Sequence, residues 1–213
     1  MIKAIRINFG YWLFLLFIQY SYGLVDSQAW TSIAIESKIP YSLKVEFEQE
    51  LRLKSQLSEF HKSFSELAIS YKVLDGLNIK IPYRYTLYND KIKQRLSIGI
   101  SYKYNLNLIS LKYRTRYQKS YEEDKYPEKL IRNKFTIGYK LGDKLEPYLS
   151  GELFHLYKTY FGRLNEYRIL IGLAFDLPKK NSIKVFYMYK KKDLNRSNPD
   201  VSNVFGLGYK IKL

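Results

Sequence analysis

Between Leu43 and Lys54 the side chains alternate. Leu43, Val45, Phe47, Leu51 and Leu53 fall on one face, with Lys44, Glu46, Glu48, Glu50, Arg52 and Lys54 on the other. A period of two is that of a β-strand, and the length over which it persists constrains the fold. Comparable stretches cover 65–73, 77–88, 95–104, 107–117, 134–141, 145–157, 165–175, 183–190 and 204–213, with 29–39 ahead of them. Strands of soluble sheets run to about 5–6 residues, whereas a tilted strand crossing a bilayer needs about 9–11. Strands can span a membrane only as a closed barrel, because every backbone polar group must be paired. The pattern therefore predicts an all-β, antiparallel up-and-down transmembrane β-barrel of about 10–12 strands.

The connections alternate in length. Short ones carry turn chemistry at Ile39-Pro40, Asp75-Gly76, Asn105, Gly142-Asp143 and Pro178 to Asn181; longer ones cover 55–63, 89–93, 118–132, 158–164 and 191–203. Tight periplasmic turns and longer outer loops are the outer-membrane habit, and this parity leaves the last strand finishing on the short-turn side. Eleven segments then sit badly with the even strand number of bacterial barrels. Twelve is the expected count and ten the next, with a strand missing from 24–30 or from 118–132.

Both ends of the sequence fit export to an outer membrane. The last strand places Phe205, Leu207, Tyr209, Ile211 and Leu213 on one face, with Gly206 and Gly208 between them, and resembles the signal read by the bacterial barrel-assembly machinery. At the other end Lys3 and Arg6 precede a charge-free stretch over 9–25, with an apolar heart over 11–18 and small residues at Ser21 and Gly23. That heart is short of the roughly 20 residues of a spanning helix, so residues 1–23 read as a cleavable signal peptide and 24–213 as the barrel. The formal net charge is +16. For an exported chain this favours anionic lipid over nucleic acid. The absence of cysteine excludes disulfides and thiolate metal sites. The 22 tyrosines suit the rim of a membrane slab, where an apolar ring with a polar tip is at home.

The cost of a misplaced charge sets which face meets lipid. Lys or Arg at the bilayer midplane costs about 2–4 kcal/mol, so the charged faces must point inward: Glu46 and its neighbours, Arg95, Ser97, Ser101 and Lys103, and Glu166 with Arg168. Two stripes stand out, Glu46, Glu48, Glu50 and Arg52 on the second strand, and Lys112, Arg114 and Arg116 on the sixth. Facing one another across a lumen, they would form a charge network that either fills the barrel or leaves a narrow, anion-favouring constriction.

Catalysis has few candidates. His61 falls in an expected outer loop. His155 shares parity with Leu149 and Leu153, where a barrel-embedded lipid hydrolase would present its base, but its same-face neighbours are Leu153 and Tyr157, with no serine or threonine beside it as nucleophile. No metal-ligand spacing and no phosphate loop occurs, so no enzyme, cofactor or metal is expected. The loop 118–132 is the longest and the expected partner-contact element.

Trp30 on the opening strand, Glu50-Leu51-Arg52, Lys140-Leu141-Gly142, Pro147-Tyr148-Leu149-Ser150 and Glu152-Leu153-Phe154 carry a family resemblance. The chain resembles the DUF2490-like barrels of Gram-negative outer membranes, a domain of unknown function. The resemblance implies an outer-membrane barrel and lends no activity; a monomer is expected.

Overall fold

The computed structural model describes residues 25–157 and 162–213; the expected signal peptide lies outside the described residues. Eleven strands follow one another: β1 (Asp26–Ile39), β2 (Leu43–Lys54), β3 (Glu59–Leu74), β4 (Leu77–Leu87), β5 (Ile92–Leu106), β6 (Ile109–Glu122), β7 (Glu128–Tyr139), β8 (Leu145–Tyr157), β9 (Gly162–Asp176), β10 (Ser182–Lys192) and β11 (Asp200–Lys212). Each pairs with its sequence neighbours, and β1 meets β11 to close the barrel. Strands run from 11 residues in β4 to 16 in β3.

Among the described residues the count is eleven, within the expected 10–12 and equal to the number of alternating segments, although an even twelve or ten was preferred. Residues from Asp26 run straight into β1, and most of 118–132 is strand, with Lys119 opposite Lys129 and Ser120 opposite Glu128. An odd count closes only if first and last strands run the same way. β1 and β11 do so, in parallel register from Asp26 opposite Ser202 to Glu36 opposite Lys212, while all other pairs are antiparallel. β1 therefore starts at one rim and β11 finishes at the other. The turns 40–42, 75–76, 107–108, 140–144 and 177–181 gather where β11 finishes; the loops 55–58, 88–91, 123–127 and 193–199 gather at the opposite rim. The loop expected over 118–132 contracts to 123–127, and 193–199 is the longest among the described residues.

Side chains follow the alternation. Ile33, Phe47, Ile98, Phe135, Ile171 and Leu207 point outward from the middle of their strands, with Ile171 61% exposed, while Trp30, Phe64, Phe154, Met188 and Val204 are buried inside among Glu66, Arg116, Glu152 and Glu166. Outward tyrosines edge this aliphatic band. Tyr71, Tyr102, Tyr104 and Tyr139 lie towards the short-turn rim, and Tyr85, Tyr117 and Tyr121 towards the loop rim.

Inside, one row of paired residues alternates bulk with its absence: Trp30, Gly206, Phe186, Gly172, Tyr148, Gly138 and Ser110 face one another in turn. The row begins nearer the loop rim in β1 and ends beside the short-turn rim in β6, which is the strand tilt that barrel closure demands. Aromatic rings cover neighbouring glycines: Phe186 lies over Gly206, and Tyr148 over Gly172. A Cβ on Gly172 would stand 2.7 Å from the Tyr148 ring and 2.8 Å from the Val185 carbonyl oxygen, which is backbone and cannot swing aside. Gly172→Ala is therefore expected to lower stability by roughly 1–3 kcal/mol, the usual cost of overpacking. Its denaturant midpoint in detergent should fall below the parent's; an unchanged midpoint contradicts this packing.

The lumen as candidate functional site

Near the loop-rim end of the lumen the inward side chains form a layer of arginine and aromatic rings. The Arg52 guanidinium lies 3.4 Å from the centre of the Trp30 ring system, and Arg168 lies 5.4 Å from it. Phe64 has Arg84 at 3.5 Å and Arg52 at 5.3 Å; Phe154 has Arg168 at 4.3 Å and Arg132 at 4.5 Å. Cations over ring faces gain most where water is excluded. Leu170, Met188 and Val204 pack with Trp30. Phe64 and Gln118 retain 2% exposure and Val204 none.

Each arginine that stacks in this layer also holds a carboxylate. Arg84 reaches Glu66 at 2.6 Å, Arg168 reaches Glu166 at 2.5 Å, and Arg52 pairs with Glu50. Glu152 is shared, at 2.7 Å from Arg114 and 2.8 Å from Arg132. Charge-assisted bonds to guanidinium forks fix geometry as well as charge.

The two stripes read from the sequence both face this interior, but they do not pair with each other. Glu46 bonds Lys80 at 2.6 Å and also Lys210; Glu50 takes Arg52 on its own strand. Glu48 stands opposite Glu66 in the ladder and, among the described residues, has no ion-pair partner. On β6, Arg114 goes to Glu152 of β8, while Lys112 and Arg116 have no carboxylate within ion-pair distance among the described residues. Arg116 is 7% exposed and its Nε has no hydrogen-bond partner. These ion pairs join residues of one strand or of strands at most two apart, whereas β2 and β6 lie four apart. Phe64, Glu66, Arg84 and Arg132 were not singled out by sequence reasoning, and Trp30, Glu152 and Phe154 entered it only as residues that carry the family resemblance, with no place in the lumen assigned. Their signal was parity, since each lies on the charged face of its own strand.

On the short-turn side of the layer the lumen opens. Lys112 and Lys184 are exposed to it, and Lys134 is half-buried on the wall. At the loop rim Lys91 bonds Glu122 at 3.1 Å, which raises the Lys91 pKa. His61 meets Tyr88 edge-on at 6.0 Å. His155 follows a register shift in β8 that sets it opposite Leu164, with Ile131 on its other side; neither neighbour carries a hydroxyl.

Residues 27–201 match the family model described as "Protein of unknown function (DUF2490)". No curated protein matches. Among solved structures the chain is similar to the anion-selective porin from Comamonas acidovorans, at 11% identity and a TM-score of 0.43, over 82% of this chain and 53% of the porin. The chain thus spans about half the porin's length.

Proposed function

The chain belongs to the DUF2490 family, whose function is unknown, and we propose that it is an integral outer-membrane β-barrel whose lumen is closed, serving the membrane as a structural or surface-contact protein. Export over a signal peptide at 1–23, folding by the barrel-assembly machinery and a monomeric state in outer-membrane lipid are parts of the same proposal. The membrane reading is supported by the aliphatic outer band edged with tyrosine, since such a band flanked by aromatic girdles is what a bilayer of about 25 Å rewards. One observation carries the closed lumen: Trp30, Phe64, Phe154, Met188 and Val204 are buried at the barrel axis side of their strands, interleaved with paired arginines. An open channel would leave those side chains wet.

Planar-bilayer recording tests this. The parent protein is expected to show no steady conductance steps, whereas Trp30→Ala combined with Phe64→Ala removes two buried rings from the layer and is expected to produce them. Steady steps from the parent, altered by Glu48→Gln or Arg114→Gln, would establish the narrow, anion-favouring channel instead.

A further inference from the structure

We propose that the lumen on the short-turn side of the arginine–aromatic layer binds a small, multiply charged oxyanion, held by Arg116, Lys112 and Lys134 on one wall and Lys184 on the facing wall. The inference goes beyond the closed-barrel reading and rests on it only for the boundary towards the loop rim; phosphate binding is read separately from conductance, so either can fail alone. Arg116 carries it furthest: its guanidinium is buried, its Nε has no hydrogen-bond partner, and no carboxylate lies within ion-pair distance among the described residues. The two carboxylates whose charge acts on it are committed elsewhere, Glu66 to Arg84 and Glu152 to Arg114 and Arg132. Its ladder neighbour on β7 is another cation, Arg132, and the same holds for Arg114 opposite Lys134 and Lys112 opposite Lys103. Like charges placed directly opposite repel, and a buried charge without a counter-charge is costly. An anion between these walls relieves both costs.

The chemistry of the donors selects the ligand. A guanidinium offers a planar fork that bonds two oxygens of one oxyanion, and ammonium groups add point charges around it; a halide can use the charge but not the fork. On the β6–β7 ladder Lys134 stands opposite Arg114 and diagonal to both Arg116 and Lys112, with Glu152 on its other side; Lys184 acts on Lys112 from across the lumen and has Lys210, Glu146 and Glu46 around it, so the cations on this stretch of wall outnumber the carboxylates beside them. This part of the lumen is reachable, because Lys112 and Lys184 are exposed to it. The hydrogen-bonded ladder closes it all round, and the layer bounds it towards the loop rim. Entry is from the short-turn rim, which admits a free solute and shuts out the headgroup of a lipid whose tails remain beside the barrel.

The test titrates inorganic phosphate into the purified full-length protein in detergent, with chloride at matched ionic strength, reading the thermal unfolding midpoint and the heat of binding. Phosphate is expected to raise the midpoint saturably where chloride does not. The double variant Lys112→Gln/Lys184→Gln is expected to bind at least tenfold more weakly while being no less stable without phosphate, because it removes mutual repulsion. Lys129→Gln, at an exposed position towards the loop rim, is expected to bind as the parent does. Equal responses to phosphate and chloride, or undiminished phosphate binding by the double variant, would overturn the proposal.

Discussion

Glu152→Ala is expected to be the most damaging single truncation in the lumen, lowering stability by about 3–5 kcal/mol, the cost of breaking a buried ion pair from one side. Glu152 is 5% exposed and accepts from Arg114 Nη2 at 2.7 Å, Arg132 Nη2 at 2.8 Å and Arg132 Nε at 3.1 Å. Removing it strands two guanidinium groups beside Arg116 and Lys134, their ladder neighbours. The pair itself is not the source of the loss; the unpaired cations are. Hence Glu152→Ala joined with Arg132→Met should recover part of the stability, although Arg114 stays unpaired. The exposed pair of Lys72 and Asp75, 2.9 Å apart in a turn, supplies the contrast, since water already solvates both partners and breaking it should cost little. Denaturant unfolding in detergent reads all three. A Glu152→Ala cost as small as the turn pair's would mean that the layer is wet.

The second large effect is expected on the outer wall. Ile171→Arg sets a guanidinium in the middle of the aliphatic band, where the cost is about 2–4 kcal/mol if hydrocarbon lies outside. In a water-soluble protein the same change would be nearly free, because Ile171 is 61% exposed. Arginine at Tyr126, 99% exposed in the 123–127 loop, should fold into vesicles as the parent does. The folded, heat-modifiable fraction after refolding into vesicles is the measurement. Loss of that fraction for Ile171→Arg alone supports lipid contact, and equal yields contradict it.

Alternation made most of the fold legible, because a period of two assigns both strand and face. On β5 it put Leu96, Ile98 and Ile100 outward and Arg95 and Ser97 inward, as the structure has them. Where inward positions are polar and turn residues are near, a strand end looks like a loop. This hid the last turns of β6 and the first of β7, at Ser120 and Glu128. The preference for an even strand number failed for a different reason. Evenness follows from antiparallel closure, and the parallel meeting of Ala29 with Phe205 and Ile33 with Tyr209 leaves no mark on either strand alone.

The lumen was half legible. Inward charge on β2 and β6 could be read, but not who meets whom, because strand tilt brings together side chains from different depths in their strands. Trp30 sits early in β1 yet is stacked by Arg168 from mid-β9 and Arg52 from the end of β2. Opposed stripes gave way to local pairs for the same reason. The partners that neutralise Glu46 come from β4 and β11, which tilt carries to its height.

Whether apolar side chains face acyl tails while ionised ones line the interior can be measured directly, because the chain has no cysteine and any single one introduced reports its own position. Cysteine at Ile171 or Leu207, carrying a fluorophore in lipid vesicles, should be quenched by spin labels attached to acyl chains and shielded from aqueous quenchers. At Lys112 the order should invert, with aqueous quenching and no response to the acyl-chain labels. Fluorophores at Ile171 and Leu207 that respond only to aqueous quenchers would show that this wall never touches lipid.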